Sequence, residues 1–142
     1  VGIYDLCDEY GIYMIAECNM ESPWNERYGC RTERGFLRCR TVRPSGVDGL
    51  HAGPCQLDVS ERQNHPAILI WSCGNESFGG KVIFEMSQLY RKMDPNRLVH
   101  YEGVNDDRRY NDTSDMESRM YTTVNEIREF LAKRPQKAVC LL

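Results

Sequence analysis

Apolar residues recur along this chain at helical spacing in some segments and as short continuous runs in others. Three segments have the spacing of an amphipathic helix, 3–10, 82–93 and 124–131, and Gly11 directly after the first predicts its C-terminal stop. Five short apolar runs have the length of strands: 12–16, 67–73, 98–101, 116–121 and 138–142. Because strands that alternate with helices usually pair in parallel, the pattern predicts an α/β fold around a parallel sheet.

The most informative segment is 64–77, which reads Asn-His-Pro-Ala-Ile-Leu-Ile-Trp-Ser-Cys-Gly-Asn-Glu-Ser. Pro66 disfavours helix at the residue before it, so the chain enters the apolar run in an extended conformation. Gly74 lets the backbone turn, and Asn75 and Glu76 then follow the strand at its carboxyl end, where parallel α/β folds place their chemistry. The alternative is an ordinary strand with Glu76 as a surface charge on a solvated loop.

This segment resembles the acid/base motif of glycoside hydrolase family 2, and its Trp-Ser-x-Gly-Asn-Glu-Ser is most similar to the β-galactosidase branch. The resemblance implies a partial (β/α)₈ TIM barrel, with the predicted strands as roughly the third to the seventh of eight. It also implies a retaining hydrolase of terminal β-D-galactosides. Another specificity of the same family, β-glucuronidase or β-mannosidase, is the close alternative.

The resemblance assigns roles to three residues. Glu76 matches the acid/base, which protonates the leaving-group oxygen and then activates water. Asn75 matches the residue that hydrogen-bonds the 2-hydroxyl of the sugar. Tyr121 matches an active-site tyrosine near the nucleophile, or it is simply an aromatic residue at the barrel rim. Since each follows a strand, Glu17, Glu21, Glu76, Glu102 and Tyr121 are expected to cluster at one end of the sheet.

A metal site is implied by a second motif. Residues 18–22, Cys-Asn-Met-Glu-Ser, are similar to the segment with which galactosidases of this type bind Mg²⁺. Glu21 and Glu76 would be its ligands here, and oxygen ligands suit this hard cation. Pro23 stands where the family has a histidine ligand, so only two of the three protein ligands remain. The alternative is that Glu21 is a polar residue at the barrel rim.

The nucleophile position departs most from the family. A retaining glycosidase needs a second carboxyl group, about 5–5.5 Å from the acid/base. The family supplies it as the Glu that follows a cysteine at a strand end, whereas Leu141 follows Cys140 here. Leucine has no nucleophilic atom, so no nucleophile is present in this chain. The alternatives are a chain cut or misread at this point, or a non-catalytic fragment or pseudo-enzyme.

Residues 29–57 also fit the barrel poorly. The fold needs a crossover helix in this region, but the segment contains five glycines and two prolines and has no helical period. A long loop without structure of its own is uncommon in a compact domain. We interpret 29–57 as an atypical insertion or a misread segment within a single family 2 barrel fragment that covers 1–142.

Composition limits the partners. A net charge of −3 in 142 residues gives no electrostatic reason to expect nucleic acid or an anionic membrane surface. No apolar run has the length of a membrane span. The seven cysteines include no C-x-x-C pair, which argues against a zinc site. Their odd number, without a disulfide framework, favours a reducing compartment, with the cytoplasm as the expected location. A homo-oligomeric parent protein is compatible with this interpretation.

Overall fold

The computed structural model describes residues 2–18, 59–75, 79–105, 107–133 and 137–141. Helices and strands alternate in the predicted order: α1 (Ile3–Tyr10), β1 (Met14–Glu17), β2 (Ile68–Ser72), α2 (Gly80–Met93), β3 (Leu98–His100), β4 (Glu117–Arg119), α3 (Val124–Ala132) and β5 (Val139–Leu141). Residues 59–62 are also helical. Two 3₁₀ segments, Glu102–Asn105 and Arg108–Thr113, connect β3 to β4. The predicted insertion at 29–57 lies outside the described residues.

The described strands pair in parallel, as predicted, but in two groups. Strands β1, β2 and β3 form one sheet in that order, and β4 pairs with β5. Between the two groups, the backbone N–H of Asp115 donates to the carbonyl of Val99 at 2.8 Å. The Asp115 carboxylate in turn accepts from the Val99 N–H at 2.7 Å. A side chain thus replaces a backbone acceptor between β3 and β4, which the apolar pattern could not show.

Two strand boundaries differ from the prediction. The run at 12–16 becomes a strand only at Met14 and extends through Glu17. The run at 116–121 is a strand only over Glu117–Arg119, and Tyr121 lies in the following turn with φ of 53°. A residue with positive φ has left the extended conformation, so the strand cannot continue through Tyr121.

Local sequence signals set the helix ends. Gly11 follows α1 in the left-handed conformation, with φ of 68°, which confirms the predicted stop. The N–H of the next residue, Ile12, donates to the Cys7 carbonyl at 2.9 Å and so satisfies a free acceptor of the last turn. Thr123 and Glu126 form a capping box at the start of α3, a Thr-x-x-Glu signal that periodicity alone does not detect.

The core lies between the three-stranded sheet and α2, with Trp71 at its centre. Trp71 is 1% exposed, and its ring centroid is 6.0 Å from that of Tyr90 on α2. Its indole N–H donates to Asp94 at 3.0 Å, so the only polar atom of the side chain is satisfied. The buried cluster around it includes Ile68, Ile83, Met86, Val99 and Tyr101. This packing fixes β2 and β3, the two strands from which the candidate site extends.

Four of the seven cysteines lie in the described parts of the structure, and none of these four is in a disulfide. Cys7, Cys18 and Cys73 are buried, as is typical of small apolar core residues, and Cys140 is half-buried. Burial raises the pKa of the Cys73 thiol far above its ordinary value, so this side chain stays protonated and unreactive. Among the helices of the described ranges, none is long and apolar enough to cross a membrane.

Candidate active site

Three polar side chains lie side by side across the sheet. Glu17 pairs in register with Ser72, and Ser72 pairs with His100. Residues in register on neighbouring parallel strands point to the same face of the sheet. The Ser72 hydroxyl donates to the Glu17 carboxylate at 2.9 Å and lies 3.2 Å from Nδ1 of His100. Polar groups therefore connect the carboxyl ends of β1, β2 and β3 on the face opposite Trp71.

His100 extends this connection to the second group of strands. Its Nε2 lies 2.9 Å from the hydroxyl of Ser118 on β4. Burial lowers the pKa of His100, so the ring is held neutral with one N–H donor and one acceptor. Because the single Ser72 proton goes to Glu17, Nδ1 of His100 must carry the ring proton and donate to Ser72. Nε2 then accepts from Ser118, and the four side chains form one directed chain of hydrogen bonds.

Asn75 lies just beyond these four hydrogen-bonded side chains. The N–H of Cys73 donates to the His100 carbonyl at 2.9 Å, which continues the β2–β3 pairing past the end of β2. Gly74 follows with φ of 121°, a conformation that residues with a Cβ rarely adopt, so the predicted turn at this glycine is confirmed. The turn leaves Asn75 half-buried. The Asn75 amide faces the Glu102 carboxylate, and because a carboxylate can only accept hydrogen bonds, we assign the amide with its nitrogen on that side, 3.3 Å from each oxygen.

Glu102 and Glu117 are the two buried glutamates of the described residues, and they have different surroundings. Glu117 on β4 accepts two hydrogen bonds from the Arg108 guanidinium, one of them at 2.8 Å, and a third from Arg119 at 3.3 Å. Burial alone would raise the pKa of Glu117, but the hydrogen bonds and charges of these two arginines outweigh it and lower the pKa. Glu117 is thus a structural anion that holds the 3₁₀ segment at Arg108 against β4.

The other predicted site residues are placed as follows. Glu21 and Glu76 lie outside the described residues, so the acid/base and the Mg²⁺ site stay predictions; Glu76 directly follows Asn75 in the chain. Tyr121 is 88% exposed in the turn after β4, and its substrate contact also stays a prediction. The backbone of position 141 ends β5 and pairs with Arg119 near the end of β4. Position 141 therefore lies at a strand end, and its correspondence to the family's nucleophile stays a prediction.

Sequence reasoning missed the interior roles of Ser72, His100 and Ser118. Each is a polar residue within or at the end of a short strand, and each is at most 1% exposed. Their positions in the sequence were the signal that could have found them, because polar residues at equivalent positions of successive parallel strands point to the same side of the sheet.

The end of the sheet at which the strands begin differs from the end that carries Asn75. An open cavity of about 500 Å³ lies beside Pro66, Leu69, Met93 and Pro95, where β2 and β3 begin. Arg97 spans this region and donates to the carbonyls of Ile68 at 2.6 Å and His65 at 2.8 Å. In β/α barrels the end at which strands begin serves stability rather than catalysis. We therefore place the candidate site at the Asn75 end.

Comparisons with known proteins identify the family of this chain. The family model described as "Glycosyl hydrolases family 2, TIM barrel domain" matches residues 1–139. A β-galactosidase of Halalkalibacterium halodurans is 45% identical over 142 aligned residues, which cover 94% of this chain and 13% of that protein. One from Clostridium acetobutylicum is 44% identical, with 94% and 15% covered. The chain thus spans about a seventh of the length of these relatives.

Solved structures show the same fold. The crystal structure of an FMN-binding β-glucuronidase from Faecalibacterium prausnitzii L2-6 superposes with a TM-score of 0.65 over 97% of this chain and 22% of that one, at 20% identity. Within the described residues no group of three histidine, cysteine or acidic side chains is arranged to hold a metal ion. The family match over nearly the whole chain and the parallel β/α architecture lead to one conclusion: this chain belongs to glycoside hydrolase family 2 and forms part of its TIM-barrel domain.

Proposed function

We propose that this chain contributes the acid/base half of the active site of a retaining β-galactosidase. The observation that carries the proposal is the turn at Gly74, which presents Asn75 at the carboxyl end of β2 beside the buried Glu102. The relatives that are 36–45% identical to this chain bear the name β-galactosidase, which favours galactosides over the other specificities of the family. The substrate is then a terminal β-D-galactoside.

Each step of the proposed reaction uses a position of this chain. Glu76 donates its proton to the glycosidic oxygen as the bond to the sugar breaks. Asn75 binds the 2-hydroxyl, a contact that strengthens as positive charge develops on the ring. After the leaving group departs, Glu76 accepts a proton from the attacking water. A carboxylate at position 141 would hold the sugar covalently between these steps, and Leu141 cannot do so.

We also propose that Mg²⁺ binds between Glu21 and Glu76, where carboxylate oxygens suit it. When bound, the ion adds positive charge beside the acid/base. Pro23 removes one expected ligand, so we propose weaker Mg²⁺ binding here than in a relative that keeps the histidine. The free thiols of the described cysteines support a reducing compartment, and we propose the cytoplasm.

A chimera tests the proposal. Residues 1–139 replace the matching segment of the H. halodurans β-galactosidase, whose own sequence continues on both sides and supplies the nucleophile that the family places after this point. In this chimera Glu76→Gln should lower turnover of an aryl galactoside with a poor leaving group by about 10²–10⁴-fold. The loss should be smaller with a good leaving group, and azide should restore part of it by replacing the activated water.

Glu9→Gln is the matched control, because Glu9 is an exposed glutamate on α1. Its turnover should equal that of the unmodified chimera. If the Glu76→Gln chimera hydrolyses the poor substrate as fast as its parent, Glu76 is not the acid/base. The alternative specificities are tested with the complete protein encoded by the gene that contains this segment. Faster hydrolysis of an aryl β-glucuronide or β-mannoside than of the galactoside would replace the proposed substrate.

The non-catalytic alternative is favoured by one specific observation, Leu141 at the end of β5. The genomic sequence beyond Cys140 separates the two possibilities. A reading frame that continues with Glu-Tyr directly after Cys140 would support the enzyme. A frame that keeps Leu141 in the complete protein would support a sugar-binding product without catalysis.

A further inference from the structure

We propose that Glu102 is a positioning residue that fixes the orientation of the Asn75 amide and so turns its carbonyl oxygen toward the 2-hydroxyl of the sugar. This inference rests on the proposed function of Asn75. The Asn75 amide faces both carboxylate oxygens of Glu102, and with its nitrogen on that side the distance to each oxygen is 3.3 Å. A carboxylate only accepts hydrogen bonds, so the NH₂ end of the amide faces Glu102 and the C=O end faces away from it.

Glu102 lies in a closely packed segment. Glu102 is 9% exposed and starts a 3₁₀ segment two residues after the end of β3. Tyr101 beside it is 1% exposed, and its N–H donates to the Ser114 hydroxyl at 3.2 Å. A Cβ added at Gly79 would meet the Tyr101 ring at 3.4 Å, so the residues before α2 pack closely against this segment. Glu102 therefore belongs to a packed part of the described structure.

The orientation matters for the reaction. An unconstrained asparagine amide can present either its NH₂ or its C=O group to a ligand. As positive charge develops at the carbon next to the 2-hydroxyl, that hydroxyl becomes a better donor and a poorer acceptor. An acceptor oxygen therefore stabilises the transition state more than the ground state, as catalysis requires. Glu102 selects this orientation without touching the substrate.

The test compares two substrates in the chimera defined above: an aryl β-galactoside and its 2-deoxy analogue. Glu102→Gln keeps the size of the side chain but adds a donor, so the Asn75 amide is no longer held in one orientation. We expect kcat/KM to fall about tenfold on the galactoside, the scale of one lost hydrogen bond, and to change little on the 2-deoxy analogue. Once Asn75→Ala is present, adding Glu102→Gln should cause no further loss on the galactoside.

Glu117→Gln is the matched control, because Glu117 is also a buried glutamate but lies on β4 and binds Arg108. This variant should leave unchanged the ratio of kcat/KM on the galactoside to kcat/KM on the 2-deoxy analogue. An equal loss on both substrates from Glu102→Gln would overturn the proposal and leave Glu102 a structural residue. If the Glu102→Gln chimera fails to fold, kcat/KM on the two substrates is compared in Glu102→Asp, which keeps the charge on a side chain one methylene shorter. A loss on the galactoside alone then supports the proposal, and an equal loss on both substrates overturns it.

Glu76→Gln in the same chimera separates this inference from the proposed function. If Glu76→Gln has no effect, the proposed function fails and the positioning role fails with it. If Glu76→Gln abolishes turnover while Glu102→Gln affects both substrates equally, only the positioning role is wrong.

Discussion

Ser72 and His100 occupy equivalent positions on neighbouring parallel strands, and the Ser72 hydroxyl lies 3.2 Å from Nδ1 of His100. This pair connects an exposed carboxylate, Glu17, to a buried hydroxyl, Ser118, that belongs to the other group of strands. Backbone hydrogen bonds hold each group together, but between β3 and β4 side chains perform part of that role. These hydrogen-bonded side chains therefore form a structural connection directly beneath the candidate site.

The first prediction concerns pH. Burial lowers the pKa of His100 in the folded protein below its ordinary value of 6.5. The unfolded state therefore binds more protons than the folded state as the pH falls below 6.5, and the free energy of unfolding decreases until the folded pKa is reached. The loss can be at most about 1.4 kcal/mol per pH unit over that interval. Above pH 6.5 this residue should cause no pH dependence.

Thermal inactivation of the chimera between pH 5 and 8 measures this effect. His100→Gln removes the titrating ring, so the difference in stability between the two proteins should be constant above pH 6.5 and shrink as the pH falls below that value. A constant difference across the whole range would show that His100 does not titrate in the way its burial indicates.

The second prediction concerns the connection across the two groups of strands. Ser118→Ala removes the donor to Nε2 of His100 and leaves a buried acceptor without this hydrogen bond. A loss of about 1–3 kcal/mol in unfolding free energy is expected for such a change. Ser60→Ala, at an exposed helical position, is the control and should change stability by less than about 0.5 kcal/mol. If both variants unfold alike in urea, the His100–Ser118 hydrogen bond contributes nothing to stability.

These two residues also show where sequence reasoning succeeded and where it stopped. The apolar periods predicted the order of helices and strands, and Gly11 and Gly74 adopt positive φ where turns were expected. The interior contacts depend on register, which is set by which residues pair across strands far apart in the chain. Hydrophobic periodicity describes only one segment at a time, so it could not place Ser118 beside His100.

The third prediction concerns the isolated chain. Several large apolar side chains of α1, β1 and the connection between them are exposed in the described structure: Ile3, Tyr10, Ile12, Tyr13 and Ile15. Strand β1 is also the last strand of its sheet among the described residues, and an open edge favours association with other chains. We expect the 142-residue chain alone to bind a hydrophobic dye and to lack a cooperative thermal transition. A sharp transition in a dilute monomer would contradict this expectation.

The fourth prediction concerns the metal. With Pro23 in place of the histidine ligand, the chimera should lose activity at a lower EDTA concentration than the unmodified H. halodurans enzyme. Pro23→His should raise the apparent Mg²⁺ affinity, since it restores a third protein ligand beside Glu21 and Glu76. Ca²⁺ added at the same concentration is the control for a general effect of divalent cations. An unchanged Mg²⁺ titration in Pro23→His would show that position 23 does not belong to the metal site.

The last prediction concerns position 141. Its backbone ends β5 and pairs with Arg119, which places it at the carboxyl end of a strand, as the proposed nucleophile position requires. A chimera that carries residues 1–142, and therefore Leu141, should show no measurable turnover of an aryl β-galactoside, because no covalent intermediate can form. Leu141→Glu should restore turnover by at least about 10³-fold, since nucleophile and acid/base act as a unit.

The control for position 141 is Leu142→Glu, which adds the same carboxylate one residue further along. Successive residues of a strand point to opposite faces, so a group moved by one residue is misdirected and should not restore activity. Trapping with a slowly deglycosylating 2-fluoro galactoside, followed by peptide mass analysis, should label the carboxylate introduced by Leu141→Glu and nothing in the control. Turnover by the chimera that retains Leu141 would mean that the nucleophile comes from another position, and the correspondence between β5 and the family's nucleophile strand would then be wrong.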